Sequence, residues 1–239
     1  NILPYLYATS FVMPSADDFG FSNSIKEKIG EGKGYFVSAV ILTLESYFTW
    51  QGTYFCNFLL YLTAPFVRYG IWGIRGLCFI SILFFYVSLY YLVKCVMENY
   101  FHIKERLKSA FLFSVIVCVI SNLRIPSENY FLYNGVCAYT IPLTFALLGV
   151  QFLIKYIVEK QKNIYWWAAI FLGIAACGGT LQHAAFLCYV YLCLVMWAWK
   201  SKKLHTKKLI IAFGIPLLGA IINVCAPGNF VRHGSIGDG

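Results

Sequence analysis

Charge is what this sequence has least of. Only 12% of its residues are Asp, Glu, Lys or Arg, about half the share of an average soluble domain. With 60% hydrophobic and 19% aromatic residues, that scarcity excludes an ordinary soluble globular domain. The nine cysteines are scattered, mostly inside apolar runs, and no C-x-x-C pair occurs. This leaves no basis for a zinc site or a disulfide framework, and the thiols read as small hydrophobes. No N-x-S/T sequon occurs either, which favours a bacterial origin. The centres of the apolar runs hold almost no ionisable groups, which argues against a transporter with a charged midplane site.

What the chain has in abundance is apolar length. Runs at 71–93, 110–123, 136–158, 164–177, 181–199 and 209–225 approach the ~20 residues that cross a bilayer, the shorter ones extending through neutral neighbours. The pattern predicts an all-α fold, a polytopic transmembrane helix bundle. Residues 1–239 form a single transmembrane domain: 1–13 the end of a first span, 14–70 an outer loop, 71–225 a six-span bundle and 226–239 an outer loop. The start at Asn1 with half a span, and the stop in a polar loop, lead us to expect a fragment.

Most of the 19 basic residues sit in three inter-helix loops, around 94–108, 155–162 and 200–208. Such clustering marks the cytoplasmic side. It accounts for the net charge of +9 without nucleic acid, which we do not expect as a partner. Asp17, Asp18, Glu27, Glu31, Glu45, Glu128 and Asp238 then fall on the outer side, whereas Glu98, Glu105 and Glu159 fall among the lysines. Chemistry therefore belongs to the outer face. Within 14–70, Ser38, Glu45, Ser46 and Thr49 share one stripe at helical spacing, the pattern of an interfacial amphipathic helix. A second apolar segment follows at 53–67.

Four outer motifs carry candidate chemistry. Asp17-Asp18 cannot point the same way, since helical neighbours diverge by about 100°; one could act as a base and the other hold a metal or a neighbour, or both could be solvated. Glu128 to Gly135, leading to Tyr139, mixes carboxylate, amide and aromatics as sugar sites do; an interfacial aromatic belt is the alternative, which explains the Tyr and Phe but not Glu128 or Asn134, and Arg124 is expected to pair with Glu128. Gly178-Gly179-Thr180 turns the chain, leaving Gln182 and His183 in a first helical turn where anions are favoured. Ala226-Pro227-Gly228-Asn229 forces a turn, returning Arg232 and His233 to the membrane surface. Arg232 is a fork donor suited to phosphate, set against the charge bias.

Ala16-Asp17-Asp18-Phe19, Trp50-Gln51-Gly52, Glu128–Gly135 with Tyr139, and Ala226-Pro227-Gly228-Asn229 with Arg232 together resemble the C-type glycosyltransferase (GT-C) superfamily, and within it an uncharacterised bacterial family. The resemblance implies a GT-C-like bundle in the bacterial inner membrane with an outward-facing site. It implies transfer from a polyprenyl-phosphate-linked sugar to a glycan or lipid acceptor of the cell envelope, among membrane lipids. Asp17 or Asp18 would be the catalytic base. Glu128, Asn134, Tyr139, Gln182, His183, Asn229, Arg232 and His233 would bind substrate, Arg232 meeting the phosphate. Metal use varies across the superfamily, so a divalent cofactor (Mg or Mn) on Asp17 or Asp18 stays open. A flippase of lipid-linked intermediates and a glycan polymerase or ligase are the rival readings.

Overall fold

The computed structural model describes residues 2–68, 70–121, 126–159, 162–200 and 206–237, and among them only helices and their joins occur. Helix α1 (Leu3–Ala8) and a 3-10 turn (Thr9–Phe11) lead to α2 (Ala16–Gly30), α3 (Tyr35–Thr49) and α4 (Tyr54–Arg68). The long α5 (Ile71–Asn99) is followed by α6 (Arg106–Ser121), α7 (Pro126–Phe131), α8 (Tyr133–Gly135), a π-turn (Val136–Thr140) and α9 (Ile141–Val158). Then come α10 (Asn163–Cys177), α11 (Leu181–Lys200), α12 (Thr206–Val224) and α13 (Pro227–Gly237).

Among the described residues, four helical stretches are long and apolar enough to cross a membrane: Ile71–Asn99, Tyr133–Val158, Leu181–Lys200 and Lys207–Gly234, the last joining α12 to α13. Their most apolar windows are only 28% to 50% buried within the fold. So much outward apolar surface suits a lipid solvent rather than water. Two expected spans fall short. Helix α6 has 16 residues and α10 has 15, and 15 residues rise only about 22 Å against a hydrocarbon core of about 30 Å. The cause is local: Gly178 caps α10 directly after Cys177, so the expected extension never forms. Helix α10 is enclosed by α9, α11 and α12, in a core built on Leu153, Tyr156, Ile170, Leu187 and Tyr191.

Hydrogen bonds fix the direction of the bundle. Trp166 Nε1 donates to the Lys208 carbonyl (2.8 Å) and Lys208 Nζ to Asn163 Oδ1 (2.9 Å), joining the starts of α10 and α12. Asn223 Nδ2 donates to the Cys177 and Gly179 carbonyls (both 2.8 Å), joining their ends. The two helices therefore run parallel. Lys155 and Lys162 flank Tyr165 at the first end, while the 50–57 and 226–232 segments gather at the second. The charge bias of the sequence thus becomes two chemically distinct ends of one bundle.

Three local expectations change. The polar stripe of α3 divides: Ser38 is fully buried and the Ser46 hydroxyl meets Tyr61 Oη at 3.0 Å, whereas Thr49 stays exposed. Glu45 stays exposed but pairs with Lys28 of α2 at 3.1 Å. The outward stripe of α3 is instead Phe36, Val40, Leu44 and Phe48, because α2 and α4 take the polar side. Residues 226–239, expected as a loop, form α13 from Pro227 to Gly237; proline at the first helical position is preset for a helix start. The 124–135 loop is likewise helical from Pro126, while Arg124 and its expected pairing with Glu128 lie outside the described residues.

Candidate functional site

Three chain turns meet at the end of the bundle opposite the lysines, and two asparagines lock them. Asn229 Oδ1 accepts the Gly52 N–H (2.8 Å), and its Nδ2 donates to the Asn223 carbonyl (2.7 Å). The buried Asn223 in turn holds the Cys177–Gly179 turn, and the Phe55 N–H donates to the Gly178 carbonyl (2.9 Å). The approach is close enough to demand glycine twice. A Cβ on Gly52 would lie 2.1 Å from the Asn223 carbonyl oxygen, and one on Gly228 would lie 2.6 Å from Gln51 N.

This frame opens a cavity of about 620 Å³ whose lining includes Asp17, Trp50, Gln51, Asn57, Asn134 and Arg232. Arg232 Nη1 donates to Gln51 Oε1 (2.7 Å), and the guanidinium lies 5.1 Å from the Trp50 ring centroid. Gln51 is itself fixed: its Nε2 donates to Asn57 Oδ1 (3.2 Å), and Asn57 Nδ2 donates to the Gln51 carbonyl (3.3 Å). A planar cation held on an aromatic face and by a neighbouring amide keeps a set orientation.

The aspartate pair divides as helical geometry requires. Asp17 is exposed and lines the cavity. Asp18 is 1% exposed and lines neither this cavity nor the next. Its Oδ2 accepts the Ser15 N–H (2.7 Å), half of the capping box that starts α2, and its Oδ1 has no partner. Burial pushes this carboxyl above the usual carboxylate range, against the lowering pull of the Ser15 hydrogen bonds.

A second cavity of about 470 Å³ adjoins the first and shares Gln51, Asn134 and Arg232 with it. Glu128, Tyr139, Thr180, Gln182 and Asn229 complete its polar lining. The structure therefore gathers Asp17, Glu128, Asn134, Tyr139, Gln182, Asn229 and Arg232 around two connected spaces, with Asn229 also serving as scaffold. His183 lies behind the wall, edge-on to Tyr139 with ring centroids 6.0 Å apart. His233 is exposed on α13 and lines neither space.

Sequence reasoning assigned no role to Trp50, Gln51, Asn57 or Thr180. Trp50-Gln51-Gly52 was visible as a motif, whereas Asn57 sits in an apolar run with nothing to mark it. Asp18 is committed to its cap, Glu128 belongs to the other cavity, and among the described residues no group of three His, Cys, Asp or Glu could hold an ion. Compared with protein families, with curated proteins and with solved structures, the chain finds no match.

Proposed function

We propose that this chain is an integral membrane glycosyltransferase of the bacterial inner membrane. It transfers a sugar from a polyprenyl-phosphate-linked donor to a cell-envelope glycan or lipid acceptor, on the extracytoplasmic face. One observation carries the reading: Asp17, Asn134 and Arg232, far apart in sequence, line a single cavity at the lysine-poor end. A carboxylate and an oriented guanidinium in one polar space at a membrane edge are the groups such a transfer needs.

Asp17, not Asp18, is the base, because only Asp17 reaches the cavity. Its carboxylate takes the proton from an acceptor hydroxyl as that oxygen attacks the anomeric carbon. The bond from that carbon to the phosphate oxygen breaks, and the electron pair leaves with the lipid phosphate, inverting the sugar. Charge grows on the phosphate as the bond breaks, so the held guanidinium of Arg232 favours the transition state over the ground state. The dry lipid side keeps the donor's tail in the bilayer while its head group meets the site. The test is transfer of labelled sugar from a polyprenyl-phosphate donor in membranes. Asp17→Asn should lose about 10²–10⁴-fold in kcat, the range of general-base catalysis. Full activity in that variant, or donor movement with no new glycosidic bond, defeats the reading.

A further inference from the structure

The two cavities are not equivalent, and their difference has a chemical meaning. Each has one carboxylate, Asp17 or Glu128, and both border Arg232. The larger space carries the aromatic walls Phe21, Trp50 and Tyr61. Both carry neutral hydrogen-bonding residues, Ser24, Ser46 and Asn57 in the larger and Thr53, Thr180, Gln182 and Tyr139 in the smaller. Thr53 and Thr180 line this smaller space, but their hydroxyl oxygens are sealed from solvent, so Gln182 and Tyr139 are the groups open to a ligand.

We infer that the smaller cavity is the subsite for the neutral sugar ring of the donor, with the acceptor in the larger cavity beside Asp17. The assignment rests on the glycosyltransferase reading, because it takes Asp17 as the group that deprotonates the acceptor. If the acceptor hydroxyl must touch Asp17, the acceptor occupies the larger space. The phosphate belongs at Arg232, where the spaces join. The sugar bonded to it then enters the smaller space, where its hydroxyls meet Glu128, Asn134, Tyr139 and Gln182. A phosphate deeper in that space would instead face the Glu128 carboxylate. The class of ligand is therefore an uncharged, hydroxyl-rich ring rather than an anion.

Two measurements test this. In the transfer assay, Tyr139→Phe and Gln182→Leu should each raise donor KM about fivefold, the worth of one neutral hydrogen bond, with acceptor KM unchanged. Glu128→Gln should act on donor KM and Asp17→Asn on kcat; the reverse pattern would exchange the two cavities and overturn the assignment. Saturation-transfer NMR on the purified chain in micelles, with the methyl glycosides of glucose, galactose and mannose as probes, needs no turnover. At least one glycoside should give a signal whose affinity Tyr139→Phe or Gln182→Leu weakens about fivefold and Asp17→Asn keeps. No signal from any glycoside, one indifferent to Tyr139 and Gln182, or one lost with Asp17→Asn overturns the subsite. A glycoside signal with the expected dependence, together with full transfer by Asp17→Asn, would instead keep the sugar site and remove the catalytic reading.

Discussion

The two ends of the bundle are held by different kinds of bond. At the lysine-rich end the ion pairs are local, Lys94 with Glu98 at 3.7 Å and Lys108 with Glu105 at 2.8 Å. The hollow there, about 400 Å³, is apolar, walled by Tyr100, Phe101, Leu194 and Trp197. At the other end the bonds join distant parts of the chain: Gly52 to Asn229 across 177 positions and Gln51 to Arg232 across 181. Exposed pairs within one helix add little to stability and would form without the fold. Long-range bonds form only when the whole chain is in place; the lysine-rich end has its own in Trp166 with the Lys208 carbonyl, but only the other end gathers them around polar cavities.

That contrast can be broken from its strong side first. The largest effect should be the loss of transfer in Asp17→Asn described above. Next comes Asn223→Leu, which orphans two turn carbonyls in a buried setting and should cost about 2 kcal/mol of stability, read as a lower unfolding temperature in detergent. Arg232→Lys keeps the charge but loses the fork and the Trp50 stack. It should lower kcat/KM for the donor at least about tenfold, chiefly through kcat, the worth of one charge-assisted hydrogen bond made in the transition state.

Asp18 gives a smaller, pH-dependent effect. Its folded carboxyl titrates above its unfolded value, so the folded state holds the proton more tightly. The stability it contributes is fully present below the unfolded value and is lost as pH rises through the folded one. Asp18→Asn should therefore leave acid stability unchanged and flatten the decline toward neutral pH, as seen in unfolding temperature against pH. Lys108→Ala, at the lysine-rich end, should change neither activity nor unfolding temperature measurably. A large effect there would erase the distinction between the ends.

Much of this was legible in residue order. The apolar runs at 71–93, 136–158 and 181–199 lie within the long helices, and the lysine bias separates the two ends. The divergence of Asp17 and Asp18 was also legible, but not which of them turns inward, since that depends on what packs against α2. For the same reason the polar stripe of α3 was visible and its direction was not. Asn57 and Asn223 stayed silent because a single amide in an apolar helix has no pattern. The glycines of 226–239 masked α13, whose start is fixed by Pro227 and whose contacts come from α3.

The inward turn of Ser38 and Ser46 on α3 has a mechanical consequence. One side of this helix carries Phe36, Val40, Leu44 and Phe48 outward, while Ser46 and Trp50 at its far end border the larger cavity. What separates that apolar side from the cavity is one helix, about 10 Å thick. Trp50 passes any tilt of α3 to the guanidinium stacked on it, so the cavity's cation answers to whatever packs on the outer side of this helix.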